Sequence, residues 1–197
     1  MRVTLFDYGA GNLHSLAKAL ATAEGAEVRV EEDPLRAVDT DVLVLPGVGA
    51  FGAAATRLAP GREAMRAALA RGLPCLGICL GMQLLFESSE EGPGDGLGYF
   101  SGRVTRLRAR RVPQMGWNRV EADTTLTSAR LETVYYANSF VCRVEDASVV
   151  TGWSTHEDDR FAAVVRRGRV VGVQFHPEKS SAPGVAFVRG FLREVTS

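Results

Sequence analysis

Up to Glu87 the chain alternates short apolar runs with stretches whose apolar positions recur at helical spacing. Arg2–Asp7, Ala26–Glu31, Asp41–Leu45 and Leu73–Ile78 are the apolar runs, each the length of a buried strand. Leu13, Leu16, Ala17 and Leu20 fall on one face of a helix that Asn12 can cap. An Ala- and Arg-rich helical stretch fills Pro60–Arg71, and Leu80–Glu87 reads as another helix. Gly9-Ala10-Gly11 and Pro46-Gly47-Val48-Gly49 interrupt the pattern sharply, as turns do. Repeated strand–helix units predict a parallel sheet covered by helices on both faces.

A polar loop, Ser88–Leu97, ends that pattern, and strand-like pieces follow: Tyr99–Arg108, Gly116–Glu121, Thr133–Val144, Ser148–Thr155, Phe161–Arg166 and Val170–Phe175. A helix over Gly184–Val195 closes the chain. The pattern predicts an α/β, doubly wound, mostly parallel sheet with an antiparallel, β-rich second half packed on it. With no clean linker, residues 1–197 read as one domain. Arg106, Arg108 and Arg110 alternate and would share one side of a strand, either as a solvated face or toward an acidic partner.

Composition changes this picture little. Apolar residues make up 46%, and Lys+Arg balance Asp+Glu at 23 each, so no bulk field favours nucleic acid or membrane. Met1–Asp7 lacks the long apolar core of a secretion signal, and no run nears the ~18 residues of a membrane span. The three cysteines, Cys75, Cys79 and Cys142, show no metal-type spacing. A reduced, cytoplasmic protein with no metal and no cofactor is expected.

Cys79 is the informative one. Gly77 and Gly81 flank it at a strand-to-helix turn, the setting of a nucleophile elbow with sulfur in place of oxygen. A helix N-terminus there would favour a thiolate. A buried Cys beside a glycine-rich turn reads equally well from this segment alone. Three histidines are available as a base. His14 lies on the first helix, and His156 lies in a charged turn. His176 ends an apolar strand, where open α/β sheets gather catalytic groups. Glu178, two residues on, could orient the imidazole. The Gly47–Gly49 turn could supply an oxyanion donor from Val48 or Gly49, beside the N–H of Leu80. An ordinary turn or a phosphate-binding loop fits that segment too. Gly9-Ala10-Gly11 with Glu31 or Glu32 imitates a dinucleotide fingerprint, but His14 stands where the third glycine belongs.

Taken together, Gly77-Ile78-Cys79-Leu80-Gly81-Met82-Gln83 and His176-Pro177-Glu178 resemble the motifs of class I, triad-type glutamine amidotransferases. Asp7–Asn12, Leu45–Phe51, Pro113–Asn118 and His176–Ser180 are similar to segments of the glutaminase subunits of imidazole glycerol phosphate synthases. The resemblance implies hydrolysis of glutamine to glutamate and ammonia by Cys79, His176 and Glu178. It also implies that Gln83, Ser139 and Phe140 hold glutamine. A (β/α)₈-barrel cyclase subunit is the implied heterodimer partner, with Asn12, Trp117 and Lys179 facing it. That cyclase would use the ammonia to make imidazole glycerol phosphate and an aminoimidazole carboxamide ribonucleotide in histidine biosynthesis. Asn138 departs from the family, which more usually has His there. A catalytically silent module and a stand-alone γ-glutamyl or peptide hydrolase are the alternatives.

Overall fold

The computed structural model describes residues 1–9, 13–122 and 131–196. The chain runs through β1 (Arg2–Phe6), α1 (His14–Ala21), β2 (Glu27–Glu31), β3 (Val42–Leu45), α2 (Phe51–Leu58), α3 (Arg62–Ala70), β4 (Cys75–Ile78) and α4 (Leu80–Leu84). It continues through β5 (Ser88–Ser89), β6 (Gly102–Arg106), β7 (Gln114–Arg119), β8 (Glu121–Ala122), β9 (Thr133–Asn138) and β10 (Phe140–Val144). β11 (Val150–His156), β12 (Asp159–Arg167), β13 (Val170–Val173) and α5 (Ser181–Thr196) complete it.

The main sheet has the order β2-β1-β3-β4-β13-β12-β11-β8. β2 through β13 in that order run parallel, and β12, β11 and β8 extend the sheet antiparallel. The second half therefore continues the first half's sheet as well as packing on it. β13 pairs with β4 in the register Val170↔Cys75 to Val173↔Ile78, so the two strands end side by side. Two small sheets, β10-β6-β5 and β7-β9, flank the main one.

Both faces of the central strands β3, β4 and β13 are buried, as a doubly wound sheet requires. Val42 and Val44 of β3 pack with Leu16 and Leu20 of α1 and with Phe187, Phe191 and Leu192 of α5. Leu43 and Leu45, on the opposite face, pack with Phe51 and Leu58 of α2 and Met65 and Leu69 of α3. Each such fully buried side chain stabilises the fold by about 1.5–3 kcal/mol relative to exposure.

Several boundaries differ from the sequence reading. α2 precedes the stretch read as helical, although Phe51, Ala54, Ala55 and Leu58 are buried at helical spacing. Pro60 sits in the 3-10 turn that joins α2 to α3. α4 stops short of Glu87 because Leu85 and Phe86 bond back three residues, to Met82 and Gln83, and tighten the chain into turns. Thr133–Val144 is two strands in two different sheets, divided at Ser139, whose carbonyl accepts from the Leu107 N–H at 2.9 Å. The arginine alternation is not a strand face: β6 ends at Arg106, and the Arg108 and Arg110 amides turn to the Asp159 and Glu157 carboxylates. Leu13 occupies the cap position of α1 without a side-chain cap, and Asn12 lies outside the described residues.

Asp159 clamps the small β6–β10 sheet to β12. Both its oxygens accept from the Arg143 guanidinium, at 2.9 and 2.6 Å, and one accepts from the Arg108 N–H at 2.8 Å. Burial alone would raise its pKa, but the Arg143 hydrogen bonds and the Arg108 N–H outweigh that and lower it from 3.8. A depressed carboxylate contributes stability that is present above the unfolded pKa and lost as pH falls through the folded one. Asp159→Asn should lower the melting temperature by about 3–8 °C at pH 7, from the usual worth of charged hydrogen bonds in a domain this size. The gap between wild type and variant should close as pH falls below 3.8. Thermal denaturation across pH checks both statements.

Candidate active site

Cys79 sits between β4 and α4 with φ +47° and ψ −103°, a conformation that costs free energy for any residue with a side chain. The chain is closely packed on either side of it. A Cβ at Gly77 would lie 2.7 Å from the Gly81 carbonyl oxygen, and one at Gly81 would lie 2.0 Å from that of Leu45. The Cys79 N–H donates to the Val173 carbonyl at 2.7 Å, tying the elbow to the end of β13. Leu80 begins α4, so its N–H has no partner within the helix and remains available as a donor.

His176 follows β13 and is almost completely buried. Its N–H donates to the Tyr135 carbonyl at 2.9 Å, while its carbonyl accepts from the Ser180 hydroxyl at 2.7 Å. That hydroxyl accepts in turn from the Tyr135 N–H at 2.9 Å, closing a ring that binds the His turn to β9. The imidazole Nδ1 lies 2.8 Å from Glu178 Oε1. Gly47 leaves essential space for the ring, since a Cβ there would stand 2.9 Å from His176 Cε1 and 3.2 Å from Nδ1. Burial works against a charged imidazole. Hydrogen bonds to Cys79 and Glu178, and the charges of both, outweigh it and raise the His176 pKa from 6.5 to about 9. Such a site holds an imidazolium beside a sulfur, the condition under which a cysteine reacts as thiolate.

Gly47, Val48, Gly49, Cys79, Leu80 and Gln83 line part of a cleft of about 260 Å³. Glu91, Ala137–Phe140, His176 and Lys179 line the rest. The structure thus brings together Cys79, His176, Val48, Gly49, Leu80, Gln83, Ser139, Phe140 and Lys179, with Glu178 directly behind the histidine. Gly49 takes φ +129°, which only glycine adopts freely, and faces the Leu80 side chain. Gln83 is spoken for on its donor side: its Nε2 lies 3.1 Å from the Phe140 carbonyl and 3.4 Å from Gln174 Oε1. Asn138 also donates to the Phe140 carbonyl, at 3.1 Å. Trp117 lies outside the cleft, half-exposed on β7, with its ring edge-to-face on Tyr135 at 6.1 Å. Asn12 lies outside the described residues. His14 is exposed at the start of α1, and His156 Nε2 is engaged by the Arg111 carbonyl at 2.8 Å.

Two contacts escaped the sequence reading. Gly47 makes room for the imidazole, a contact between distant strands that no local pattern reveals. Gln174, fully buried, points its Nε2 at Cys79 Sγ at 3.5 Å. Its place two residues before His176 was the available signal. Among the described residues no group of His, Cys, Asp and Glu could hold a metal ion.

A strained elbow cysteine facing a carboxylate-backed histidine across neighbouring strand ends is the arrangement of a triad amidotransferase. The sequence matches the family described as class-I glutamine amidotransferase over residues 4–195, and the chain belongs to it. Solved structures share the fold at low identity. One titled as a glutamine amidotransferase has a TM-score of 0.77 at 20% identity, covering 99% of both chains. Within the class, the chain belongs with the subunits named imidazole glycerol phosphate synthase subunit HisH. The one from Thermus thermophilus is 44% identical over 191 residues, 95% of either chain. That from Pyrococcus furiosus is 39% identical over 197 residues, 98% of either chain.

The His176 geometry has a measurable consequence. A raised histidine pKa contributes stability that is fully present below 6.5 and lost as pH rises through about 9. The His176 ring should titrate by NMR with a midpoint of about 9, and Glu178→Gln should bring it down toward 6.5. An ordinary midpoint in the wild-type chain would contradict the pairing.

Proposed function

We propose that this chain hydrolyses glutamine to glutamate and ammonia with Cys79 as nucleophile, His176 as acid and base, and Glu178 as the group that orients His176. The observation that carries this reading is the juxtaposition of the elbow Cys79 with the Glu178-backed His176 at adjoining strand ends. The whole chain acts as one glutamine amidotransferase domain.

The Cys79 thiolate attacks the side-chain carboxamide carbon of glutamine, forming a C–S bond and placing negative charge on the carboxamide oxygen. The Leu80 N–H and a donor from the Val48–Gly49 turn receive that oxyanion. His176 gives its proton to the departing nitrogen as the C–N bond breaks, releasing ammonia and leaving a glutamyl thioester. Water, deprotonated by His176, then attacks the thioester and returns the thiolate and glutamate. Glu178 keeps Nδ1 protonated throughout, so that the other ring nitrogen meets sulfur and substrate. Gln83, Ser139 and Phe140 hold the amino-acid portion of glutamine. Because the Gln83 amide nitrogen is already engaged, its oxygen is the atom left to accept from a substrate N–H donor.

The chain works as one subunit of a complex in histidine biosynthesis, as the names of its relatives imply. We assign as its partner a (β/α)₈-barrel cyclase that takes up the ammonia. In this reading Trp117 and Lys179 face that partner, and Asn12, outside the described residues, is assigned to it from the sequence resemblance alone. Met115 and Trp117 are both exposed on β7, giving an apolar strip suited to a partner surface. Trp117 rests on Tyr135, whose carbonyl holds the His176 N–H, so contact there reaches the histidine in few steps.

Cys79→Ala should reduce glutamine hydrolysis by about 10⁴-fold or more while leaving the melting transition intact. Retained turnover would overturn the triad. Adding a cyclase subunit and its ribonucleotide ligand should raise the wild-type ammonia-release rate. A rate unmoved by the partner would favour a stand-alone hydrolase instead.

A further inference from the structure

We infer that Gln174 is a positioning residue for the thiolate of Cys79, linking the sulfur through Gln83 to the strand that borders the glutamine site. The inference rests on Cys79 being the nucleophile.

Gln174 lies just past β13 and is held there by its N–H, which donates to the Ala163 carbonyl at 2.9 Å. Its side chain is fully buried. Its Nε2 reaches Cys79 Sγ at 3.5 Å, an ordinary length for a bond to sulfur, and its Oε1 accepts from Gln83 Nε2 at 3.4 Å. Gln83 Nε2 also donates to the Phe140 carbonyl at 3.1 Å. These contacts fix both amides. A carbonyl cannot donate, so Gln83 must present nitrogen to Phe140, and Gln174 must then present oxygen to Gln83. The one remaining face of the Gln174 amide is its N–H₂, and it faces sulfur.

A donor aimed at a thiolate is a charge-assisted bond, stronger for S⁻ than for a neutral thiol. With His176 as its other partner, the sulfur is held between two polar groups. Among the described residues Tyr8 and Cys142 also face it, both kept neutral as burial pushes their pKa values up. Glu178 acts through His176, and Glu91 and Lys179 stand on the cleft wall. Phe140 and Gln83 also connect the sulfur to the β9–β10 turn, so a shift of that turn moves the donor.

The test is the pH dependence of Cys79 alkylation by iodoacetamide in the full-length chain, resolved by peptide mapping, together with glutamine kinetics. Gln174→Met removes the donor at similar volume and should raise the alkylation midpoint by about one pH unit. It should also lower kcat at neutral pH by about tenfold with KM little changed. Gln174→Glu keeps the shape and an acceptor for Gln83 but places a like charge at the sulfur. It should shift the midpoint further upward, and it carries the test if the Met variant fails to fold. An unmoved midpoint in a folded variant, or a change confined to melting temperature or KM, would overturn the inference. Alkylation does not need glutamine, so that failure is distinct from failure of the proposed function, which would show as glutamine turnover in Cys79→Ala.

Discussion

The parallel pairing of β13 with β4 is the constraint on which the site depends. Because Val173 is held opposite Ile78, the residues that follow each strand emerge together at the C-terminal ends of the parallel strands, in the middle of the sheet. The Cys79 N–H then bonds the Val173 carbonyl, and Gln174 and His176 arrive beside the sulfur within a few residues. A one-residue slip of β13 would turn its side chains to the opposite faces and break this meeting. The register is secured by burial on both sides. Val171 and Val173 join the cluster beneath α1 and α5, while Val170 joins the one beneath α2 and α3. Packing far from the cleft thus sets the position of its reactive atoms.

Within the site, strain and space are arranged around small residues. The positive φ of Cys79 is tolerated because Gly77 and Gly81 allow β3, β4 and α4 to approach closely. Gly47 does the same for the imidazole. Burial also sorts the three cysteines. The Cys75 and Cys142 thiols are pushed up by desolvation and stay neutral, whereas Cys79 alone stands against the His176–Glu178 pair. Selectivity for one sulfur follows from location, with no chemical difference among the residues themselves.

What could be read from the chain followed from how local the physics is. The elbow was legible because its steric demand falls on Gly77 and Gly81, two residues either side of Cys79. His176 and Glu178 were legible as a strand-end pair for the same reason, and the strand–helix alternation carried the class of fold. The space left by Gly47, the amide of Gln174 and the division of Thr133–Val144 were not, because each depends on contacts between segments distant in sequence. The run Thr133–Val144 is uniformly strand-like, and only the bonds of β9 to β7 and β10 to β6 divide it. The α2 helix went unread: Phe51, Ala54, Ala55 and Leu58 stand at helical spacing, but the weak hydrophobicity of the small residues dilutes the pattern.

The resulting account is of a chemical half-reaction built at the ends of two central strands, its product meant for another protein. A covalent bond between Cys79 and the glutamine side chain is its central claim. The most direct measurement is to treat the chain and its partner complex with a glutamine analogue bearing an electrophilic group at the side-chain carbonyl, and to map the label by mass spectrometry. The account predicts one label per chain, on Cys79, with loss of ammonia release in proportion. Labelling on Cys75 or Cys142, or inactivation with Cys79 unmodified, would contradict it.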